Sequence, residues 1–156
     1  MLREHSFVNH DFPVIDEEIS VDVRIVTPSR TFLEKLFLLS EEFQKEKPRS
    51  RRMSRHLYDI ERIMETDFGK EALRNTELYK AIVAHREKFY HLGYVDYNKD
   101  LPDKICFVPK GAVLEAYRKD YEENMVDGYI YNEALPFDIL ISHLEELQKN
   151  IRAIKL

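Results

Sequence analysis

Two neighbouring stretches, RTFLEKLFLL (Arg30 to Leu39) and RRMSRHLYDIERI (Arg51 to Ile63), set charged groups among apolar residues at helical spacing. In the first, Phe32, Leu36, Leu39 and Phe43 form a stripe. Leu33, Phe37 and Leu38 widen it so far that this helix must be contacted on several sides. In the second, Met53, Leu57, Ile60 and Met64 form a single apolar line. Thr27 can cap the first helix, with Pro28 at the first helical position, where a missing N–H costs nothing. Pro48 should stop it. The connection between the two helices is basic, so Lys35, Asp59 and several arginines can converge at one end of a helical hairpin, a cluster suited to phosphate chemistry.

The rest of the chain strengthens the helical expectation. Only four glycines occur, none before Gly69, which excludes a glycine-rich phosphate loop and leaves little for tight hairpins. Charged residues make up 34%, as solvated helix faces require. Further helices are expected over Ser50 to Met64, Thr66 to Asn75, Glu77 to Leu92 and Ala112 to Asn124. A last one opens at Pro136 or Phe137 and turns Ile139, Leu140, Leu144, Leu147 and Ile151 inward. VDVRIV (Val21 to Val26) alternates like a half-buried strand, and Ile105 to Val108, between Pro102 and Pro109, reads as a short buried strand containing Cys106. The predicted architecture is mainly α, a helical bundle with a few short strands at the N-terminal edge and near residues 105–108. Its divisions are a leader and strand over 1–26 and a helical domain over 27–156.

Charge narrows the functional classes. The net charge is -5, yet Lys45 to Arg55 sets six cations against Glu46 alone, a local +5 that leaves -10 for the remainder. Such a chain is a poor general nucleic-acid coat but can hold phosphate at one place. Nine tyrosines invite an aromatic platform, but Tyr94, Tyr97, Tyr117, Tyr121, Tyr129 and Tyr131 are interleaved with acidic residues, so packing in core or interface is expected of them. A lone cysteine, with no signal peptide and no run long enough to span a membrane, leads us to expect a cytoplasmic protein without a membrane partner. The histidines lack metal-ligand spacing, and no residue is assigned to a metal.

Lys35 projects beside Leu38 and Leu39. It can snorkel to solvent or present a point charge to a phosphate at a pocket rim. Asp59 has Arg55 four residues before it and Arg62 three after, with His56 on the preceding turn. Those spacings serve an exposed ion-pair network or a functional cluster equally well.

TPSRTFLEKLFLLSE (Thr27 to Glu41) followed by RMSRHLYDI (Arg52 to Ile60) resembles the C-terminal half of the AbiEii/AbiGii-type bacterial nucleotidyltransferase toxins, relatives of the polymerase β-like superfamily. The segments HREKFYHLGYVDY (His85 to Tyr97) and KDYEENM (Lys119 to Met125) look like the helical tail of one subgroup. The resemblance implies catalytic roles for Lys35, contacting nucleotide phosphate, and Asp59, organising the site, with Arg30, Arg52, Arg55 and His56 as substrate- or phosphate-binding positions. Complete members hold Mg²⁺ through a Gly-Ser motif followed by an acidic pair, and use a nucleoside triphosphate. This sequence has no Gly-Ser pair. The resemblance therefore implies a truncated or split member, without a cofactor of its own and inactive alone. Completed by its missing half, it would act with NTP on an acceptor such as tRNA. A cognate antitoxin, or a second copy joined through the exposed strand, are its expected partners. The alternative is a stand-alone helical interaction module without catalytic activity.

Overall fold

The computed structural model describes residues 26–131 and 133–156. Six α-helices follow one another: α1 (Pro28–Glu42), α2 (Ser54–Met64), α3 (Asp67–Arg74), α4 (Thr76–Phe89), α5 (Gly111–Asp120) and α6 (Phe137–Arg152). A 3₁₀ turn spans Tyr97–Asp100, and a π-helical segment, Tyr121–Val126, continues α5. Starts follow side-chain chemistry. Thr27 accepts from Arg30 N at 3.3 Å, Thr66 from Gly69 N at 3.3 Å and Asn75 from Leu78 N at 2.9 Å, each satisfying a donor that the first turn leaves open.

The wide stripe of α1 does what its width demands. Phe32, Leu33, Leu36, Phe37 and Leu39 are all fully buried, and α1 packs against α2, α3, α4 and the 3₁₀ turn. The narrower line of α2 faces α1 on one side and reaches α5, the π segment and α6 on the other. Gly69 makes the α2–α3 corner: a Cβ there would sit 2.4 Å from Ile63 O and 2.7 Å from Met64 Cα. The buried charges of α1 and α4 are paired, whereas the buried Asp100 side chain and the Tyr117 hydroxyl find no hydrogen-bond partner among the described residues. Arg86 of α4 is buried and donates to both oxygens of buried Glu41, at 2.6 and 2.7 Å, and also to Glu34.

Several expectations need correction. Among the described residues there is no β-strand. Ile105, Phe107 and Val108 are buried, but α6 side chains do the work of a partner strand. Gln148 Oε1 accepts from Phe107 N at 2.9 Å and Val108 N at 3.3 Å, while Arg152 donates to Ile105 O at 2.8 and 3.0 Å. Cys106 is accordingly half-buried and outside any strand. The expected strand Val21 to Val26, with its dimerising edge, lies outside the described residues except for exposed Val26. The expected helix to Leu92 ends at Phe89, because His91 takes a left-handed φ of 44° two residues before Gly93. Ile139, assigned inward, is 44% exposed. Of the six tyrosines expected to pack, Tyr97, Tyr117 and Tyr121 are buried, whereas Tyr94, Tyr129 and Tyr131 are exposed.

Candidate functional site

Lys35 leaves the flank of α1 and meets Asp59 of α2, Nζ to Oδ2 at 2.7 Å. Each side chain is partly buried, so the pair is shielded more than a surface ion pair without losing contact with solvent. The α2 arginines spaced to reach Asp59, Arg55 and Arg62, make no ion pair with it among the described residues. The approach of α1 gives Asp59 a nearer cation than its own helix can.

Beside this pair opens a cavity of about 510 Å³, lined by Arg30, Glu34, Lys35, His56, Arg86 and Tyr90 among others. Its cations differ in how far their charge is met. Arg86 has two carboxylates, Glu41 and Glu34. Arg30 reaches Glu34 only at 3.4 Å. Lys35 has three N–H donors and, among the described residues, one partner. The wall nearest Lys35 and Arg30 is thus receptive to an anion. His56 adds no charge there at neutral pH: burial, then the nearby Lys35 and Arg55 charges, push its imidazole down to about 4 against the opposing pull of Asp59.

Arg52 and Arg55 are elsewhere. They line a separate cavity of about 350 Å³ with Glu123, Asn124, Met125 and Tyr129. Of the residues singled out from the sequence, Lys35, Asp59, Arg30 and His56 come together, and the two arginines stand apart from them. The basic connection is also less free than its composition suggests, since buried Glu42 accepts from Lys45 Nζ at 2.7 Å and from Arg49 through backbone and guanidinium. Burial opposes ionisation of Glu42, but these bonds outweigh it and hold the carboxyl below its usual range. Sequence reasoning missed Arg86, Glu41, Glu42 and Asp120. Asp120 is buried and accepts from Arg52 N at 2.6 Å, Ser54 N at 3.0 Å and Ser54 Oγ at 2.5 Å, fastening the start of α2 from 66 to 68 positions away.

Fold and site together define a mainly helical domain that offers a lysine–carboxylate pair at the mouth of a cation-bearing cavity. The family model described as nucleotidyl transferase AbiEii toxin, Type IV TA system, matches residues 2–143, and the chain belongs to that family. No curated protein and no solved structure matches the chain.

Proposed function

We propose that this chain is the phosphate-binding helical half of a nucleotidyltransferase, in which the cavity faced by Lys35 and Arg30 receives the phosphates of a nucleoside triphosphate. The observation that carries the proposal is the 2.7 Å contact between Lys35 Nζ and Asp59 Oδ2 at the edge of that cavity, in a chain of nucleotidyl transferase family. Asp59 fixes the lysine as a point charge and leaves two N–H donors for phosphate oxygens. Arg30 adds a planar fork at the same wall. Phosphoryl transfer is catalysed mainly by positioning and by charge held where charge develops, and a lysine anchored across two helices supplies both.

Among the described residues no group of three or more His, Cys, Asp or Glu is arranged to hold a metal ion. The described residues do not fit the Mg²⁺ that complete relatives use. We place the metal-holding carboxylates outside this set of residues and take the chain alone to be silent in transfer. We take the acceptor to be an RNA such as tRNA; the toxin–antitoxin description of the family supports a cognate antitoxin as the controlling partner. The division at residue 26 into leader and helical domain belongs to the same proposal.

Two measurements test it. Calorimetric titration with each nucleoside triphosphate should show binding that weakens as salt rises. Incubation with labelled triphosphates, Mg²⁺ and total tRNA should leave the RNA unlabelled. Labelling that copurifies with the protein would overturn the silence of the isolated chain. Absence of triphosphate binding at low salt would overturn the site and leave the interaction module as the better reading.

A further inference from the structure

We propose that Arg52, Arg55 and Tyr129 form a second site, separate from the Lys35 cavity, for one nucleotide of a single-stranded nucleic acid. The phosphate is held by the two arginines and the base lies on the tyrosine ring. Its role as the acceptor-strand site rests on the nucleotidyltransferase reading; the binding itself does not.

Unmet charge is the first ground. Neither Arg52 nor Arg55 makes an ion pair among the described residues, although both are exposed on one cavity of about 350 Å³. Arg51, Arg62 and Arg74 are also without an ion pair among the described residues, so what sets Arg52 and Arg55 apart is the cavity that they line together. Two unpaired guanidinium groups facing one cavity can accommodate an anion there. Their guanidinium forks match phosphate geometry.

The backbone is the second ground. Arg52 has φ 58°, a left-handed conformation that residues with a Cβ seldom adopt. It is held there by Asp120, whose Oδ1 accepts from Arg52 N at 2.6 Å. Asp120 is fixed in turn by both donors of Ser54 and by Asn124 Nδ2 at 3.0 Å, and Asn124 itself lines the cavity. A buried carboxylate thus keeps a strained residue in place beside the cavity, the arrangement expected where strain positions a functional group. The opposite wall, Glu123 to Met125, comes from the π-helical segment, a conformation frequent at functional sites.

Ring chemistry is the third. Tyr129 lines the same cavity and is 66% exposed, while its backbone N–H is anchored on Met125 O at 3.0 Å. An exposed ring beside two arginines offers a base its face and a phosphate its charge. Glu123 and the free carbonyl of Asn124 can accept from exocyclic amino groups of a base. A phosphopeptide would satisfy the arginines but leave the ring unused.

Fluorescence anisotropy of a short labelled single-stranded RNA distinguishes these possibilities. Wild-type protein should bind it with modest salt dependence, reflecting only one or two phosphate contacts. The Arg52→Asn/Arg55→Gln double variant, with Asn chosen because it tolerates the left-handed backbone, should bind at least tenfold more weakly. Tyr129→Ala should lose about tenfold, a loss within the range of base stacking, and Tyr129→Phe should restore it. Lys35→Gln should leave RNA binding unchanged while weakening triphosphate binding at least tenfold, so that failure of one site does not mimic failure of the other. Unchanged circular dichroism and melting certify the fold of each variant. RNA affinity unaltered in the double variant would overturn the proposal. So would equal losses in Tyr129→Ala and Tyr129→Phe, or equally tight binding of a phosphopeptide at the same arginines.

Discussion

Asp100, buried, and His56, half-buried, are titratable groups whose effects on stability run in opposite directions with pH. Burial of Asp100, with the Glu41 charge adding to it, pushes its carboxyl up to about 7 from 3.8. Between those values the folded protein holds a proton that the unfolded chain has released, so stability falls as pH rises through this window. His56 is pushed down to about 4 from 6.5, mainly by burial. There the unfolded chain binds the extra proton, and stability falls as pH drops from 6.5 toward 4. Asp100→Asn should match wild type near pH 4 and exceed it by about 4 kcal/mol above pH 7 in urea denaturation. A difference that does not change with pH would contradict the assignment. Neither shift was readable in the sequence. Asp100 follows Tyr97-Asn98-Lys99 in a polar run, and only the docking of the 3₁₀ turn onto α1 removes it from water.

The helices themselves were largely legible, because caps and apolar period are local properties. Thr27-Pro28 and Thr66 mark starts, while Asn75, read as the end of one helix, caps the next, and the wide apolar stripe of α1 foretold its contact on several sides. What failed depends on partners remote in the chain. Ile105 to Val108 has strand composition, but its donors are met by Gln148, some 40 positions on. The candidate site divides the same way. Helical projection placed Lys35 and Asp59 correctly on their helices. It could not separate Arg52 and Arg55 from them, because the left-handed turn at Arg52 is imposed by Asp120 across the fold. Two substitutions test these joints. Gly69→Ala forces a methyl against the backbone of Ile63 and Met64 and should lower stability by about 2 kcal/mol or more as α3 is pushed from α2. Asp120→Ala leaves Arg52 N and Ser54 N without their acceptor and should cost about 2–4 kcal/mol, read as a fall in Tm. A melting temperature unchanged in either variant would show that the corner or the cap contributes little.

Taken as a whole, the described residues gather around α1, which carries five fully buried apolar side chains and also Lys35. Core and candidate site therefore share one helix: the residues that bury α1 also fix where its lysine meets α2. Of the cavities beside α2, one opens toward Lys35, Arg30 and His56 and another toward Arg52, Arg55 and Tyr129. No described helix is long and apolar enough to cross a membrane. The claim on which the functional account depends is that Lys35 receives nucleotide phosphate. Parallel calorimetric titrations of wild type and Lys35→Gln with the same nucleoside triphosphate at low salt test it most directly. Removing one charged contact of about 1.5–3 kcal/mol should weaken binding roughly tenfold to a hundredfold, with the melting temperature nearly unchanged because the Lys35–Asp59 pair is partly exposed. Equal affinity in the two proteins, both folded, would contradict the account.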